Sequence, residues 1–373
     1  MDLQYYVLGK KDNPMLTFYL DKYELKLKEL LLFLEKKGIL RKLISELLSR
    51  DCKDFIIAPD ISALINTLYK QICLEEDMYL WNSELYIQKL WKEIQYFLDW
   101  DQNLLTANKG SLISWTQIRL TIEDINPYNQ LDAHPDHRAN WWILWWWQAS
   151  DQDWLQVYSK TFDILKKADE WTYDELNRII RKIIPLGTAL GTHNSASYKE
   201  CIGHLYMGYT IDSKRPEINN LEAIIHESSH NKLNLIMHFD PLVLNTREEI
   251  YYSPYRPDAR HIHGIYLGVH AIAPTVFVLL RSYIEWLFWD DSFWLHKIIL
   301  FHLKNKIWLK VLQKYAKLTN LWKEIFEEMQ YVIWLSDTLL KSLSIKKELL
   351  LQIQAREKEH FNAVNKNYPR LKY

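Results

Sequence analysis

The sequence predicts a mainly α-helical protein with a small β element, an α+β fold in which helical layers surround a metal site on two packed helices. Leucine and isoleucine recur at three- and four-residue spacing in both flanks of the chain, the pattern of amphipathic helices. Six of the nine glycines fall between residues 187 and 268, which predicts unusual backbone geometry in that window. The same window contains the stretch HESSH at 226–230, whose two histidines have the spacing of metal ligands on a helix.

The N-terminal flank predicts two amphipathic helices between Leu20 and Arg50, because apolar residues alternate there with Lys and Glu at helical spacing. Gly38 is expected to separate them. Similar patterns predict further helices across 83–105, 153–171 and most of 294–364. The flanks should therefore form helical layers.

The glycine-rich window predicts a strand followed by two helices. The stretch KECIGHLYMGYTI at 199–211 has β-favouring residues with partial alternation, which favours a strand. The pair Asn219 and Asn220 should cap a helix that runs to about His238. The next stretch, 239–260, has three prolines and no periodicity, so we expect an ordered loop. A second apolar helix should begin near Ile262, continue towards Trp289 and bend at Pro274.

We expect three regions along the chain. Residues 1–185 form an N-terminal helical region, residues 186–290 the metal-binding core, and residues 291–373 a C-terminal helical region that makes one compact unit with the core. A chain of 373 residues is long enough to bury a functional site.

Composition argues against several classes of partner. The 46 Lys and Arg nearly balance the 47 Asp and Glu, so nucleic-acid binding is not expected. Three widely separated cysteines indicate neither a disulfide framework nor a thiolate metal site, and fit a reducing cytoplasm. The N-terminus lacks the pattern of a signal peptide, and no apolar run reaches the roughly 18 residues of a membrane span. We therefore expect a cytoplasmic protein without a membrane partner. The sequence does not indicate its oligomeric state.

The chemistry centres on His226 and His230. Residues four apart share one face of an α-helix, so both imidazoles can bind one metal ion. In zinc peptidases the glutamate at the position of Glu227 acts as general base on a metal-bound water. The structural alternative is a pair of core histidines that are satisfied by hydrogen bonds.

A catalytic metal needs a third protein ligand and an open position. The candidates downstream are, in chain order, Glu248, Glu249, His261, His263, His270 and Glu285. The usual completions of a peptidase motif, a helical glutamate or a third histidine after a glycine, are missing. His263 is favoured because it begins the second helix beside Gly264, which would permit a close approach to the first helix. His270 and His261 remain alternatives.

The loop before the second helix offers groups for an anionic cosubstrate. The guanidinium of Arg256 or Arg260 could bind a carboxylate through two parallel hydrogen bonds. The alternative for both is an ordinary salt bridge with Asp258 or Glu249. The nearby tyrosines could hydrogen-bond an oxygen ligand or simply pack the loop; they are Tyr251, Tyr252 and Tyr255.

Two stretches together resemble a bacterial family that is named for its HExxH motif and found beside ribosomally synthesised, post-translationally modified peptides. These stretches are IIHESSHNKLNLI and YYSPYRPDARHIHGIYLGV. The residues that match the family pattern are Lys232, Leu233, Asn234, Tyr252, Pro254, Arg256, Asp258, Arg260, His263 and Gly264. Tyr255 replaces the usual Trp and His261 the usual Pro, and neither departure changes the proposed ligands.

The resemblance implies an Fe(II)- and 2-oxoglutarate-dependent oxygenase that hydroxylates a side-chain β-carbon of a precursor peptide. It implies that His226, His230 and His263 hold the iron, while Arg256 or Arg260, with Tyr252, holds 2-oxoglutarate. Glu227 would then orient a ligand or a bound water, and the peptide would lie in a groove lined by residues 240–262.

Two other functions remain open. The first is a zinc metallopeptidase that acts on a peptide with Glu227 as general base. The second is a peptide-binding or scaffold protein that keeps its metal for structure, which would require a closed site with four protein ligands.

Overall fold

The computed structural model describes residues 6–73, 83–99, 105, 108–121, 151–186, 195–208, 215–285, 287, 292–343, 345 and 347–368. The apolar stretch at 141–147 and the end of the predicted second helix at Trp289 lie outside these residues. The described chain is mainly helical with one small sheet, as the sequence predicts.

The described helices, in chain order, are α1 Pro14–Lys36, α2 Arg41–Leu48, α3 Lys53–Ile56, α4 Pro59–Cys73, α5 Ser83–Leu98, α6 Asp151–Ala168, α7 Glu170–Ile179, α8 Pro216–Ile236, α9 Ile262–Ile284, α10 Ser292–Tyr315, α11 Asn320–Ser342 and α12 Lys347–Asn367. The strands are β1 Ser111–Leu112, β2 Arg119–Leu120, β3 Lys182–Leu186, β4 Ser195–Ala196 and β5 His204–Gly208.

The chain forms two compact units. The histidine unit consists of Met1–Asn13, Phe162–Glu175 and Ile224–Tyr373, and the sheet unit of Pro14–Thr161 and Leu176–Ala223. Each unit is assembled from separate stretches of the chain. The predicted division at residues 185 and 290 stays a prediction.

The sheet unit combines the N-terminal helices with the sheet. Its first two helices are separated as predicted, because Gly38 has a φ of 86°, a conformation that glycine adopts without strain. The described strands have the order β1-β2-β3-β5-β4, with β3 parallel to β2 and β5. The strand predicted within 199–211 is β5, and all five of its residues are buried.

A fully buried ion pair holds the sheet to α4. Lys182 of β3 donates to Asp60 of α4 at 2.6 Å, and neither side chain is exposed. The ring of His204 on β5 lies 3.5 Å from the same carboxylate, and its Nδ1 lies 3.0 Å from the Cys201 thiol. Burial alone would raise the pKa of Asp60, but Lys182 and His204 outweigh burial and hold that pKa below its usual range. Charge pairing thus makes the buried carboxylate stable.

Helix α8 begins earlier than predicted. Its first residue is Pro216 and its first turn contains Glu217, so Asn219 and Asn220 lie inside the helix and do not cap it. Proline is favoured at the first helical position because its fixed φ suits a helix and its missing N–H has no partner there. The start signal was therefore the proline, not the asparagines.

The core of the histidine unit is built around α9, which packs against α10 and α11. A Cβ atom added at Gly268 would lie 2.2 Å from the Trp308 ring, so only glycine fits there. At Gly264, by contrast, an added Cβ would make only ordinary contacts. The prediction that Gly264 permits a close helix approach was therefore wrong; the close approach on α9 is at Gly268.

Helix α9 is the one helix of the described chain that is long and apolar enough to cross a membrane by length and composition. Within its most apolar window, 72% of the residues are buried inside the protein. The core helix of a soluble protein passes the same test.

Replacing Lys182 by Met should destabilise the protein by about 3–5 kcal/mol, because it leaves the Asp60 carboxylate buried without its main partner. The measurement is the free energy of unfolding in denaturant. The matched control is Lys28→Met, which removes a partly exposed ion pair with Glu24 in the same unit and should cost at most about 1 kcal/mol. Equal losses for the two variants would contradict the prediction.

Candidate metal centre

Two of the predicted ligands meet on α8. The Nε2 atoms of His226 and His230 are 3.1 Å apart, and their ring planes cross at 83°. Both rings are half-buried. The helix thus directs two imidazole nitrogens to one point, as the four-residue spacing predicts.

The separation of the two nitrogens is compatible with a shared metal ion. Metal–nitrogen bonds of about 2.0–2.1 Å place the nitrogens of two adjacent ligands about 2.9 Å apart at a right angle and about 3.3 Å apart at the tetrahedral angle. The observed 3.1 Å lies within this range. In the absence of an ion one ring can donate a proton to the other, so the alternative of a hydrogen-bonded histidine pair fits the same distance.

The electrostatics of the pair favour a neutral ligand. Burial, and after it the neighbouring imidazole of His226, hold the pKa of His230 well below its usual range. Metal ligation requires the neutral imidazole, because a protonated ring has no lone pair to offer. His230 is therefore ready to bind a metal ion at neutral pH.

The histidines at the start of α9 have different roles in the structure. His261 caps the helix, since its Nδ1 accepts a hydrogen bond from the Gly264 amide at 3.1 Å. His263 is half-buried, with its ring centre 5.7 Å from that of His261. The cap commits one nitrogen of His261, which makes it a poorer ligand candidate than His263.

His270, two turns beyond His263 on α9, is fully buried. Its Nε2 lies 3.1 Å from the Tyr6 carbonyl oxygen, which can only accept, so Nε2 carries the proton. The Nδ1 atom is buried with no hydrogen-bond partner among the described residues. Metal-binding histidines commonly donate their other N–H to a backbone carbonyl, so His270 has the tautomer that a ligand needs.

Among the described residues, no three His, Cys, Asp or Glu side chains form a group that could hold a metal ion. The structure brings His226 and His230 together but does not add His261, His263 or His270 to them as a third member. The carboxylate candidates lie elsewhere: Glu248 is exposed, Glu249 accepts a hydrogen bond from the Tyr251 hydroxyl, and Glu285 ends α9.

A buried ammonium group lies two residues beyond the pair. The Lys232 Nζ donates to the Glu175 carboxylate at 2.7 Å and to the Leu8 carbonyl at 3.0 Å. The buried carboxylate of Glu328 accepts from the amides of Tyr6 and Leu8 at 2.6 and 3.1 Å. These bonds hold the N-terminal segment 6–8 against the core of the histidine unit.

Both loop arginines form ion pairs with the same carboxylate. Asp258 lies 3.0 Å from the Arg260 guanidinium and 3.6 Å from that of Arg256. The backbones of Tyr251 and Arg260 pair through hydrogen bonds of 2.7 and 2.9 Å, which closes the loop into a short hairpin. Two roles were predicted for these arginines, binding of a ligand carboxylate and a salt bridge within the loop. The structure shows the salt bridge.

The Tyr252 hydroxyl also has protein partners. It donates to the Glu357 carboxylate at 2.6 Å and lies 2.8 Å from Nδ1 of His360, and the tyrosine is fully buried. Burial raises the pKa of Glu357, although the hydrogen bond from Tyr252 acts against it. Helix α12 therefore holds the loop that carries the arginines.

Glu227, between the two histidines, is buried. Its backbone carbonyl accepts a hydrogen bond from the Asn231 side chain at 3.2 Å. A buried carboxylate next to the pair is compatible both with orienting a ligand and with acting as a base.

Sequence reasoning missed the partners that come from distant parts of the chain: Tyr6, Leu8, Glu175, Glu328, Glu357 and His360. One signal was present, because Lys232 stands among apolar residues in NKLNLI. A lysine on a buried helix face must find an acidic partner. The sequence alone does not say which one.

Protonation of His270 should make the metal-free protein acid-sensitive. Burial, with Lys232 and His230 as further causes, lowers the pKa of His270 to about 3, so an unfolded chain takes up this proton at a much higher pH than the folded one. Stability should fall as the pH drops below about 6.5, by about 1.4 kcal/mol per pH unit for this one group.

The measurement is unfolding in denaturant with a chelator present, between about pH 7 and pH 4. His270→Gln can still donate to the Tyr6 carbonyl and should show a shallower slope, whereas His238→Gln should keep the wild-type slope. An unchanged slope in His270→Gln would refute the assignment.

No protein-family model and no curated protein matches this chain. The resemblance carried by the HExxH helix and the YSPYRPDAR loop accordingly stays a prediction.

Proposed function

We propose that this protein is an Fe(II)- and 2-oxoglutarate-dependent oxygenase that hydroxylates a side-chain β-carbon in a ribosomally made precursor peptide. The observation that carries the proposal is the pair His226 and His230, whose Nε2 atoms are 3.1 Å apart on one face of α8. The second support is the sequence that follows, which resembles a family of such enzymes and lacks the usual completions of a zinc peptidase.

The chain's own residues would act mainly by binding and positioning. Bound Fe(II) and 2-oxoglutarate would supply the oxidising chemistry that a C–H bond requires. The His226–His230 pair would provide two adjacent ligands, and His263 the third, with His270 as the alternative. A site with three protein ligands leaves positions open for a cosubstrate and oxygen.

The arginines are suited to the distal carboxylate of 2-oxoglutarate. Their present partner, Asp258, is a partly exposed carboxylate, as are both guanidinium groups. Exposed ion pairs of this kind contribute about 0–1 kcal/mol. A bound dicarboxylate could therefore replace or share Asp258 at little cost, and Arg260 is the better candidate because its loop position is fixed by pairing with Tyr251.

Anaerobic titration of Fe(II) and 2-oxoglutarate into the purified protein should give saturable binding of both. Loss of one ligand from a pair should abolish or greatly weaken iron binding, so His226→Ala and His230→Ala should lose iron, while His238→Ala keeps it. If His263 is the third ligand, His263→Ala loses iron and His270→Ala retains it; the reverse result moves the assignment to His270.

With oxygen present, a precursor peptide encoded nearby should gain the mass of one oxygen atom, and succinate should form in equal amount. A protein that binds neither Fe(II) nor 2-oxoglutarate would contradict the proposal.

Replacing Glu227 by Gln separates the oxygenase from the zinc peptidase. In an oxygenase the glutamate is no proton acceptor for the reaction, so Glu227→Gln should retain iron and most of the hydroxylation. In a zinc peptidase the same variant would keep its metal and lose cleavage, because the general base is gone. The measurement is the mass spectrum of the peptide after incubation with each metal-loaded protein.

A further inference from the structure

A cavity of about 470 Å³ opens in the sheet unit, where the first residues of β2 and β3 meet the start of α4. Its polar lining is dominated by cationic and amide side chains, which are Arg119, Arg181, Lys182, Gln117 and Asn108. The proposed metal chemistry uses none of these residues.

The pairing of β2 with β3 brings two cationic side chains close together. Arg119 on β2 and Lys182 on β3 occupy paired positions in parallel strands, so they are neighbours on one face. Like charges opposite each other destabilise a sheet unless an anion lies between or beside them. Asp60 neutralises Lys182 at 2.6 Å. Among the residues that the structure describes, no carboxylate pairs with Arg119 in this way.

The two arginines make only neutral hydrogen bonds. Arg119 donates to the Gly110 carbonyl at 3.1 Å, and Arg181 donates to the Gln117 side-chain oxygen at 3.3 Å. Within the described part of the chain, no Asp or Glu forms an ion pair with either guanidinium. Both side chains are half-buried. Most of the N–H groups of each guanidinium therefore remain available to a ligand inside the cavity.

We propose that this cavity binds the phosphate group of a small phosphate monoester. Guanidinium forks match phosphate oxygens through paired, charge-assisted hydrogen bonds. The two uncompensated charges correspond to the charge of about −1.5 to −2 that a phosphate monoester carries at neutral pH. The amides of Gln117 and Asn108 add neutral donors.

The cavity also indicates what else the ligand carries. Asp54 is an exposed carboxylate that also lines the cavity, and it would repel a bare anion. It would accept a hydrogen bond from a hydroxyl or ammonium group on the ligand. The cavity has room for such an organic body next to the phosphate. The ligand is therefore a phosphate monoester with a hydroxyl or amino group.

Calorimetric titration tests this with three probes: O-phosphoethanolamine, inorganic phosphate and acetate. Binding should be tightest for O-phosphoethanolamine and weakest for acetate. Arg119→Gln and Arg181→Gln should each weaken binding of the two phosphates about tenfold or more, because each removes hydrogen bonds to a charged group. The matched control is Arg215→Gln, which removes the same charge elsewhere in the sheet unit and should leave affinity within about twofold.

A further variant tests the role of Asp54. Asp54→Asn should bind inorganic phosphate more tightly than the wild type and lose the preference for the amine-bearing probe. Hydrogen exchange of the wild-type protein provides a measurement that needs no variant: either phosphate should protect amides in 116–120 and 181–186.

Several results would overturn the proposal. These are the absence of saturable phosphate binding, acetate bound as tightly as phosphate, equal losses in Arg215→Gln and in the two cavity variants, or protection confined to other segments.

Discussion

One buried cation, the Lys232 ammonium group, ties the helix that carries the histidine pair to the N-terminal segment of the chain. It lies two residues after His230 and cannot stay buried without an anionic partner. Glu175 provides this partner, and the Leu8 carbonyl accepts a further hydrogen bond. Burial lowers the pKa of His270 and raises the pKa of Glu328; the Lys232 charge adds to the first effect and opposes the second. One lysine therefore fixes the N-terminal segment 6–8 and helps to keep the imidazole of His270 on α9 neutral.

Much of the fold follows from local patterns in the sequence. The helices around Gly38, the strand at His204–Gly208 and the start of α9 at Ile262 are set by periodicity and by the special geometry of glycine. The start of α8 was misplaced because two capping residues competed with a proline, and proline at the first helical position was favoured. The role given to Gly264 belongs to Gly268, because close approach depends on which side chain lies opposite, here Trp308. That information is tertiary and is not contained in the helix's own sequence.

The candidate site likewise contains one part that the sequence predicts and one part that it does not. The His226–His230 pair could be predicted because both residues belong to one helix with fixed geometry. A third ligand could not, since its position depends on how two helices and a long loop pack together. The arginines show the same limit: the loop sequence contains both the guanidinium groups and Asp258, and only the structure shows that they pair. The hydrogen bond from the Tyr252 hydroxyl to Glu357, on a helix more than a hundred positions later, follows from no local signal in the sequence.

The contact between Gly268 and Trp308 also has a consequence for tracing the history of this protein. An added methyl group at position 268 would lie 2.2 Å from the indole ring, so a larger residue there requires a smaller one at 308. The two positions should consequently change together among distant relatives. Such a coupled pair would identify kinship even where the histidine pair has been lost, because it records how two core helices pack and not what the protein does.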